Sequence, residues 1–371
     1  MAKIRILHAA DLHLDSPFQA LSAAKAAVRR GEQRELLSKL SELAAVEQVD
    51  MVLLSGDLLD SSSPYTETAQ ELVRYLGSIA APVFITPGNH DFYSPRSPYA
   101  RIKFPENVCI FKNNRIEVVE LPQLKAKVFG AAFTDIESHG LLCGFHAERE
   151  PGITNILCLH AEVCSGESRY NPITEKEIAD SGMDYVALGH THKASGLRKA
   201  GSVYYSWPGC PEGRGFDECG NKFVNIIELE DGRCDMRQLS ISGRKYEILK
   251  LDISNQDAVT ALHDALPDDS VKDIYRVIFT GETDIAPDLR RLYANFSELF
   301  FELQLKDETR IRRSIWENVG EDTLRGLFLS KLKARFDASN DIQERFKIEQ
   351  AARWGLAAID NMEEVVCHGD K

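Results

Sequence analysis

This chain of 371 residues lacks any stretch approaching the ~18 consecutive apolar residues of a membrane helix, so no membrane association is expected. No secretory signal is read at Met1-Ala2-Lys3-Ile4-Arg5, because the apolar run that follows is short and ends at the charged Asp11. Its eight cysteines (Cys109, Cys143, Cys158, Cys164, Cys210, Cys219, Cys234 and Cys367) form no CxxC pair. Reduced thiols in a cytoplasmic protein are therefore expected, rather than a disulfide framework or a zinc ribbon. Positive charge is also short: 44 Lys+Arg stand against 57 Asp+Glu, a net charge of −13. An acidic surface repels phosphate backbones, which argues against generic nucleic-acid binding. The deficit is uneven, since residues 306–353 carry 11 basic and 9 acidic residues, and it leaves room for a local basic groove. There is no internal repeat and no low-complexity segment. What remains is 43% hydrophobic and 27% charged, the balance of a globular protein, long enough for two or three domains.

Through the first 230 residues one pattern recurs: a short apolar run, a polar cluster, then a helical or looser stretch. The runs at 4–9, 51–54, 83–86, 156–159 and 185–188 read as strands buried on both faces. Residues 33–46 and 66–79 carry apolar positions at helical spacing, giving βαβα order and an α/β class. Strands at 223–229 and 236–240 follow, with Asp231-Gly232 as their hairpin turn. The apolar rhythm pauses at 240–245, so domain boundaries are expected to give 1–243, 244–308 and 309–371. Residues 246–253, 275–279 and 299–305 read as strands, and 256–266 and 287–294 as helices. The last segment reads as helical from 321 to about 359, with a break near 338–340.

Each early run ends in potential ligands: Asp11 and His13, Asp57, Asn89 and His90, His160, and His190 and His192. In α/β folds, ligands gather at the carboxyl ends of strands. Imidazole with carboxylate and no thiolate suits Mn²⁺, Fe²⁺ or Zn²⁺, and a carboxylate has two oxygens with which to bridge two ions. A Gly-Asp or a single histidine is bland by itself, and His8, His139, His146, His263 and His368 are read as structural. Five histidines falling in order at strand ends are better explained by metal.

The set Asp11-x-His13, Gly56-Asp57, Gly88-Asn89-His90-Asp91, His160 and Gly189-His190-x-His192 resembles the motifs of the calcineurin-like metallophosphoesterase superfamily. That resemblance implies a four-layer fold, two β-sheets flanked by helices. It also implies two divalent ions, Mn²⁺ foremost: Asp11, His13, Asp57 and His192 would hold one, and Asn89, His160 and His190 with the shared Asp57 the other. His90 would protonate the leaving oxygen, oriented by Asp91, and a metal-activated hydroxide would attack the phosphodiester. The Asp11-Leu12-His13-Leu14 opening and the Gly56-Asp57-Leu58-Leu59-Asp60 box are similar to SbcD-type DNA repair exonucleases, and Asp11-Leu12-His13-Leu14-Asp15-Ser16-Pro17-Phe18 with Trp207-Pro208-Gly209-Cys210-Pro211-Glu212-Gly213-Arg214 most resembles the bacterial YhaO-like subgroup. The layout resembles that branch too: a phosphoesterase (nuclease) domain, a small α/β capping domain and C-terminal helices. It implies DNA contact and an SMC-like coiled-coil ATPase partner, with a homodimer a further expectation.

Three features carry a second reading each. Arg214 is a candidate for a substrate phosphate or a turn-stabilising arginine. Arg310, Arg312 and Arg313 are candidates for a DNA backbone or a solvated face. Leu324, Leu327, Phe328, Leu332 and Phe336 form an amphipathic stripe for a partner helix or for packing at home. Two rival functions remain: a phosphoesterase for a small substrate such as a cyclic nucleotide or phosphomonoester, and a DNA-end or ATPase-docking scaffold with incidental hydrolysis. The acidic charge favours the first, and the intact His90 speaks against the second.

Overall fold

The computed structural model describes residues 3–267, 269–311, 316 and 319–359, and Arg312, Arg313, Cys367 and His368 lie outside them. The chain divides into two compact units, Met1–Lys245 and Tyr246–Lys371. The expected boundary at 243/244 lies beside this division, and the expected boundary at 308/309 falls within the second unit.

In the first unit, strands Ile4–Ala9, Met51–Leu54, Val83–Ile85 and Val108–Ile110 pair in parallel, and the hairpin Val224–Glu230/Arg233–Leu239 adds antiparallel strands beside Ile4–Ala9. The hairpin turns at Asp231 (φ 49°) and Gly232 (φ 76°), two consecutive left-handed residues that suit the right-handed twist of the flanking strands. A second sheet has parallel strands Ala126–Gly130, Thr154–His160, Tyr185–Gly189 and Val203–Ser206, with Glu117–Leu121 and Arg198–Ala200 antiparallel at its two edges.

The apolar runs of the sequence resolve into alternating faces. Leu7, Val52, Leu54, Val83 and Ile85 meet Leu37, Leu40, Leu72 and Leu76 from helices Ala23–Val46 and Thr66–Ser78. Their neighbours Ile6, Met51, Leu53 and Phe84 point the other way, to Val128, Ile156 and Ala187 of the second sheet. The far face of that sheet buries Phe129, Leu157, Leu159, Val186 and Leu188 with Ile178 of helix Glu175–Asp180. Helices, sheet, sheet and helix make the four layers, and the mixed α/β expectation holds. Both inner strand faces are apolar because both are covered.

The second unit has a parallel three-stranded sheet, Tyr246–Asp252, Ile274–Thr280 and Glu302–Asp307, packed on helices Ala258–Asp264 and Leu289–Phe296. Helices Leu324–Ala338 and Ile342–Ile359 follow and join through Phe328, Leu329, Leu332, Ala352 and Leu356. The break predicted near 338–340 lies between them. The amphipathic stripe is split: Phe328 and Leu332 pack inward, whereas Leu324 and Leu327 are exposed.

Candidate metal centre

Each site residue sits where a buried strand ends. The loops after Ile4–Ala9 and Met51–Leu54 continue side by side, because the amides of Asp11 and His13 donate to the carbonyls of Gly56 and Asp57 at 3.0 and 2.9 Å. The buried Gln33 amide and Ser16 hydroxyl donate to the His13 carbonyl and fix that loop on the first helix. Asp11 (φ 54°), His13 (φ 44°), Asp57 (φ 50°) and His190 (φ 89°) all take left-handed backbone conformations. Such strain costs on the order of 1–3 kcal/mol per residue and gathers where function requires a fixed side-chain direction. Gly189 allows the two sheets to meet here: a Cβ on it would lie 1.8 Å from the Ser55 carbonyl oxygen.

The donors converge. Asp11, His13 and His192 have ligand atoms within 4.8 Å of one another, as do Asp11, Asp57 and His160, and His13, Asp57 and His90. One oxygen of Asp57, Oδ2, is 3.4 Å from His160 Nε2 and 3.7 Å from His13 Nε2, within reach of both imidazoles. Asn89 Oδ1 is 3.1 Å from His160 Nε2. His190 belongs to none of these close groups. Its amide donates to Asp11, and its ring lies between those of His160 and Tyr170, with centroids 5.2 Å from each.

The imidazoles are oriented from behind. His160 Nδ1 meets the Ser55 carbonyl at 2.9 Å, His13 Nδ1 meets Asp60 at 3.0 Å, and His192 Nδ1 meets Glu218 at 2.7 Å. Each carbonyl or carboxylate oxygen calls for an N–H on Nδ1 and leaves the Nε2 lone pair facing the site. The Nε2 atoms of His13 and His192 are only 3.1 Å apart. With both lone pairs turned inward, beside two fully buried carboxylates, that separation fits a bound cation; without one, a proton on either nitrogen would bridge the pair. Protons supply positive charge to the metal-free protein: burial opposes the charging of His160, yet the adjoining Asp57 carboxylate lifts it to about 9. For His190, burial and the charge of His160 work together and lower it to about 4. Burial also disfavours the Asp57 anion, but His160, His13 and His90 outweigh it and hold that carboxyl well below its usual range.

The structure redirects one expected role and reassigns the partners of another residue. Asp91 does not hold His90. Its carboxylate accepts from the amides of Leu58, Leu59 and Gly88 and from the Tyr99 hydroxyl, and so braces the loop that carries Asp57. The carboxylate facing His90 is Asp60, 3.7 Å from its Nδ1, while the His90 amide donates to Asp57 Oδ1. Arg214 does not stand free for a phosphate: its guanidinium engages Glu218 and Asp60. Asp60, Glu218 and the Ser55 carbonyl were missed in the sequence. Asp60 stands in the same short box as Asp57, but its reach to His13 and His90 is a property of folding.

Residues 4–194 match the family described as Calcineurin-like phosphoesterase. Similar proteins include the Uncharacterized metallophosphoesterase YhaO of Bacillus subtilis (strain 168), 26% identical over 285 residues, 72% of this chain and 68% of that one. The DNA double-strand break repair protein Mre11 of Saccharolobus solfataricus is 25% identical over 300 residues, 75% of this chain and 76% of that one. The SbcD component of the nuclease SbcCD of Escherichia coli (strain K12) is 25% identical over 280 residues, 62% of this chain and 66% of that one. The match takes in more than half of the chain and every donor from Asp11 to His192, so the protein belongs to the calcineurin-like phosphoesterase family.

Proposed function

We propose that this protein is a phosphodiester hydrolase dependent on two divalent ions, and a DNA exonuclease or endonuclease subunit serving DNA repair in the cytoplasm. The observation that carries the reading is the convergence of Asp11, His13, Asp57, His160 and His192 around facing His13 and His192 nitrogens. Asp11, His13, Asp57 and His192 would hold one ion, and Asn89, His160, His190 and the shared Asp57 the other. Oxygen and imidazole donors favour Mn²⁺, with Fe²⁺ or Zn²⁺ also compatible. Such ions, when bound, lower the pKa of water and neutralise charge on a phosphate.

The chain's own residues supply the remainder. His90 is partly exposed at the rim, with its Nδ1 turned to Asp60, so its Nε2 is the group to carry a proton to a leaving oxygen. Asp57 accepts the His90 amide and ties that acid to the bridging carboxylate. Asp91 and Tyr99 keep the Asp57 loop in place from beneath.

Nuclease action is supported by the relatives, one a component of a nuclease and one a DNA double-strand break repair protein. An SMC-like coiled-coil ATPase is the proposed partner. The exposed Leu324, Leu327, Ile342 and Phe346 on the last two helices suit an apolar partner helix. Arg310 remains a candidate for backbone contact. The net charge of −13 favours a small substrate instead. The test compares short single- and double-stranded DNA, bis-p-nitrophenyl phosphate and cyclic AMP with Mn²⁺. Stepwise shortening of DNA supports the nuclease. Cleavage of small diesters alone, unchanged by an added ATPase partner, supports the small-substrate reading.

A further inference from the structure

We propose that Glu218 and Arg214 are positioning residues for the metal pair, forming a charged bracket that fixes the tautomers of His192 and, through Asp60, of His13. The inference rests on the dinuclear reading above and extends it to a loop outside the residues matched by the family. The contacts close a ring. Glu218 Oε1 is 2.7 Å from His192 Nδ1 and accepts from Arg214 Nη2 at 2.8 Å; Arg214 Nη2 is itself 3.1 Å from His192 Nδ1, so the nearer carboxylate and the donor meet at the same nitrogen, and it is the carboxylate that favours a proton there. The Arg214 amide donates to Glu218 Oε2 at 2.8 Å, so the carboxylate is held at both oxygens. Arg214 Nη1 reaches Asp60 Oδ1 at 3.3 Å, and that same oxygen is 3.0 Å from His13 Nδ1. The His13 and His192 Nε2 atoms, 3.1 Å apart, complete the circuit.

Each part has a separate task. A carboxylate on each Nδ1 holds the proton there, leaving both Nε2 lone pairs for one ion and making them better donors. Both carboxylates are negative and share one guanidinium, which offsets their repulsion and sets the distance between them. Glu218 is 5% exposed and Arg214 is partly buried, so water competes weakly for these contacts. Arg214, paired with both carboxylates, acts here through the ligands.

The test uses the full chain, freed of metal and then titrated with Mn²⁺ by calorimetry and elemental analysis. Long-range ¹⁵N–¹H correlation reads the histidine tautomers of the metal-free protein. Wild type is expected to carry a proton on Nδ1 of both His13 and His192, whatever the state of Nε2, and to bind two ions. Glu218→Gln keeps the shape but loses the charge. It is expected to weaken one of the two ions by about 10–100-fold, leave the other unchanged, and mix the His192 tautomer. Should Glu218→Gln fail to fold, Arg214→Gln is expected to weaken the same single ion. Wild-type affinity for both ions with an unchanged His192 tautomer, in whichever variant folds, overturns the bracket. Should wild type bind fewer than two ions, the dinuclear reading fails, and the tautomer of the metal-free variant still decides the bracket.

Discussion

His90 and Asp60 come together only on folding, thirty positions apart in the chain, and under the proposed mechanism this pairing makes His90 an acid and not a ligand. Replacing His90 with Asn is expected to leave both ions bound and to lower kcat by about 10²–10⁴-fold, as loss of a general acid does. Metal analysis beside steady-state kinetics checks this, and equal loss of metal would place His90 among the ligands. A second residue-scale prediction concerns stability. His8 is fully buried between Tyr185 Oη at 2.8 Å and the Leu188 carbonyl at 3.2 Å, and burial lowers it to about 3. Its ordinary value in the unfolded chain is near 6.5. Above that pH the imidazole is neutral in both states and costs nothing. As pH falls from 6.5 towards 3, the unfolded chain takes up a proton that the folded one refuses, and stability is lost by up to ~1.4 kcal/mol per pH unit. Urea unfolding of metal-free wild type and His8→Gln between pH 7 and 4 should show the difference between them shrinking or reversing by that slope. A pH-independent difference would mean that His8 does not stay neutral. The candidate ligands were legible one by one because each follows a short apolar run. The groups that aim them were not, since Ser55 acts through its carbonyl and Glu218 lies beyond the last motif.

Strands and turns account for why the ligands point inward. Gly189 is the tightest case, at the end of Tyr185–Gly189 where the second sheet approaches Ser55. Gly189→Ala must separate the two strand ends, so a loss of about 1–3 kcal/mol or more is expected, together with weaker metal binding. Denaturant midpoints and Mn²⁺ titration measure both; an unchanged midpoint would show that the sheets give way without cost. The buried strands that end in a candidate ligand were plain in the sequence because both faces are apolar, whereas the central strands Ala126–Gly130 and Val203–Ser206 of the second sheet went unread. The edge strand Glu117–Leu121 was not, since it alternates exposed and half-buried residues. The first helix begins at Ala23, ten residues before the predicted 33. Its early turns bury Arg29, paired with Glu212 and Glu32, where an apolar pattern sees only surface. Ser22 caps the start by accepting from the Lys25 amide.

At the scale of the whole molecule, an acidic chain carries a site designed for phosphate. The two facts are compatible if cations supply the local positive charge that the sequence withholds. Removing metal with a chelator is therefore expected to abolish hydrolysis and also to weaken binding of a phosphodiester, measurable by fluorescence anisotropy of labelled DNA. Unchanged DNA affinity in chelator would place binding on basic side chains instead. The most direct test of the account measures metal content and hydrolysis of bis-p-nitrophenyl phosphate on the same preparations of wild type and Asp57→Asn. Wild type should hold two divalent ions per chain and cleave the diester, and the variant, lacking the shared carboxylate charge, should lose metal and all cleavage. Cleavage that persists in Asp57→Asn, or in wild type stripped of metal, would contradict a dinuclear phosphodiesterase.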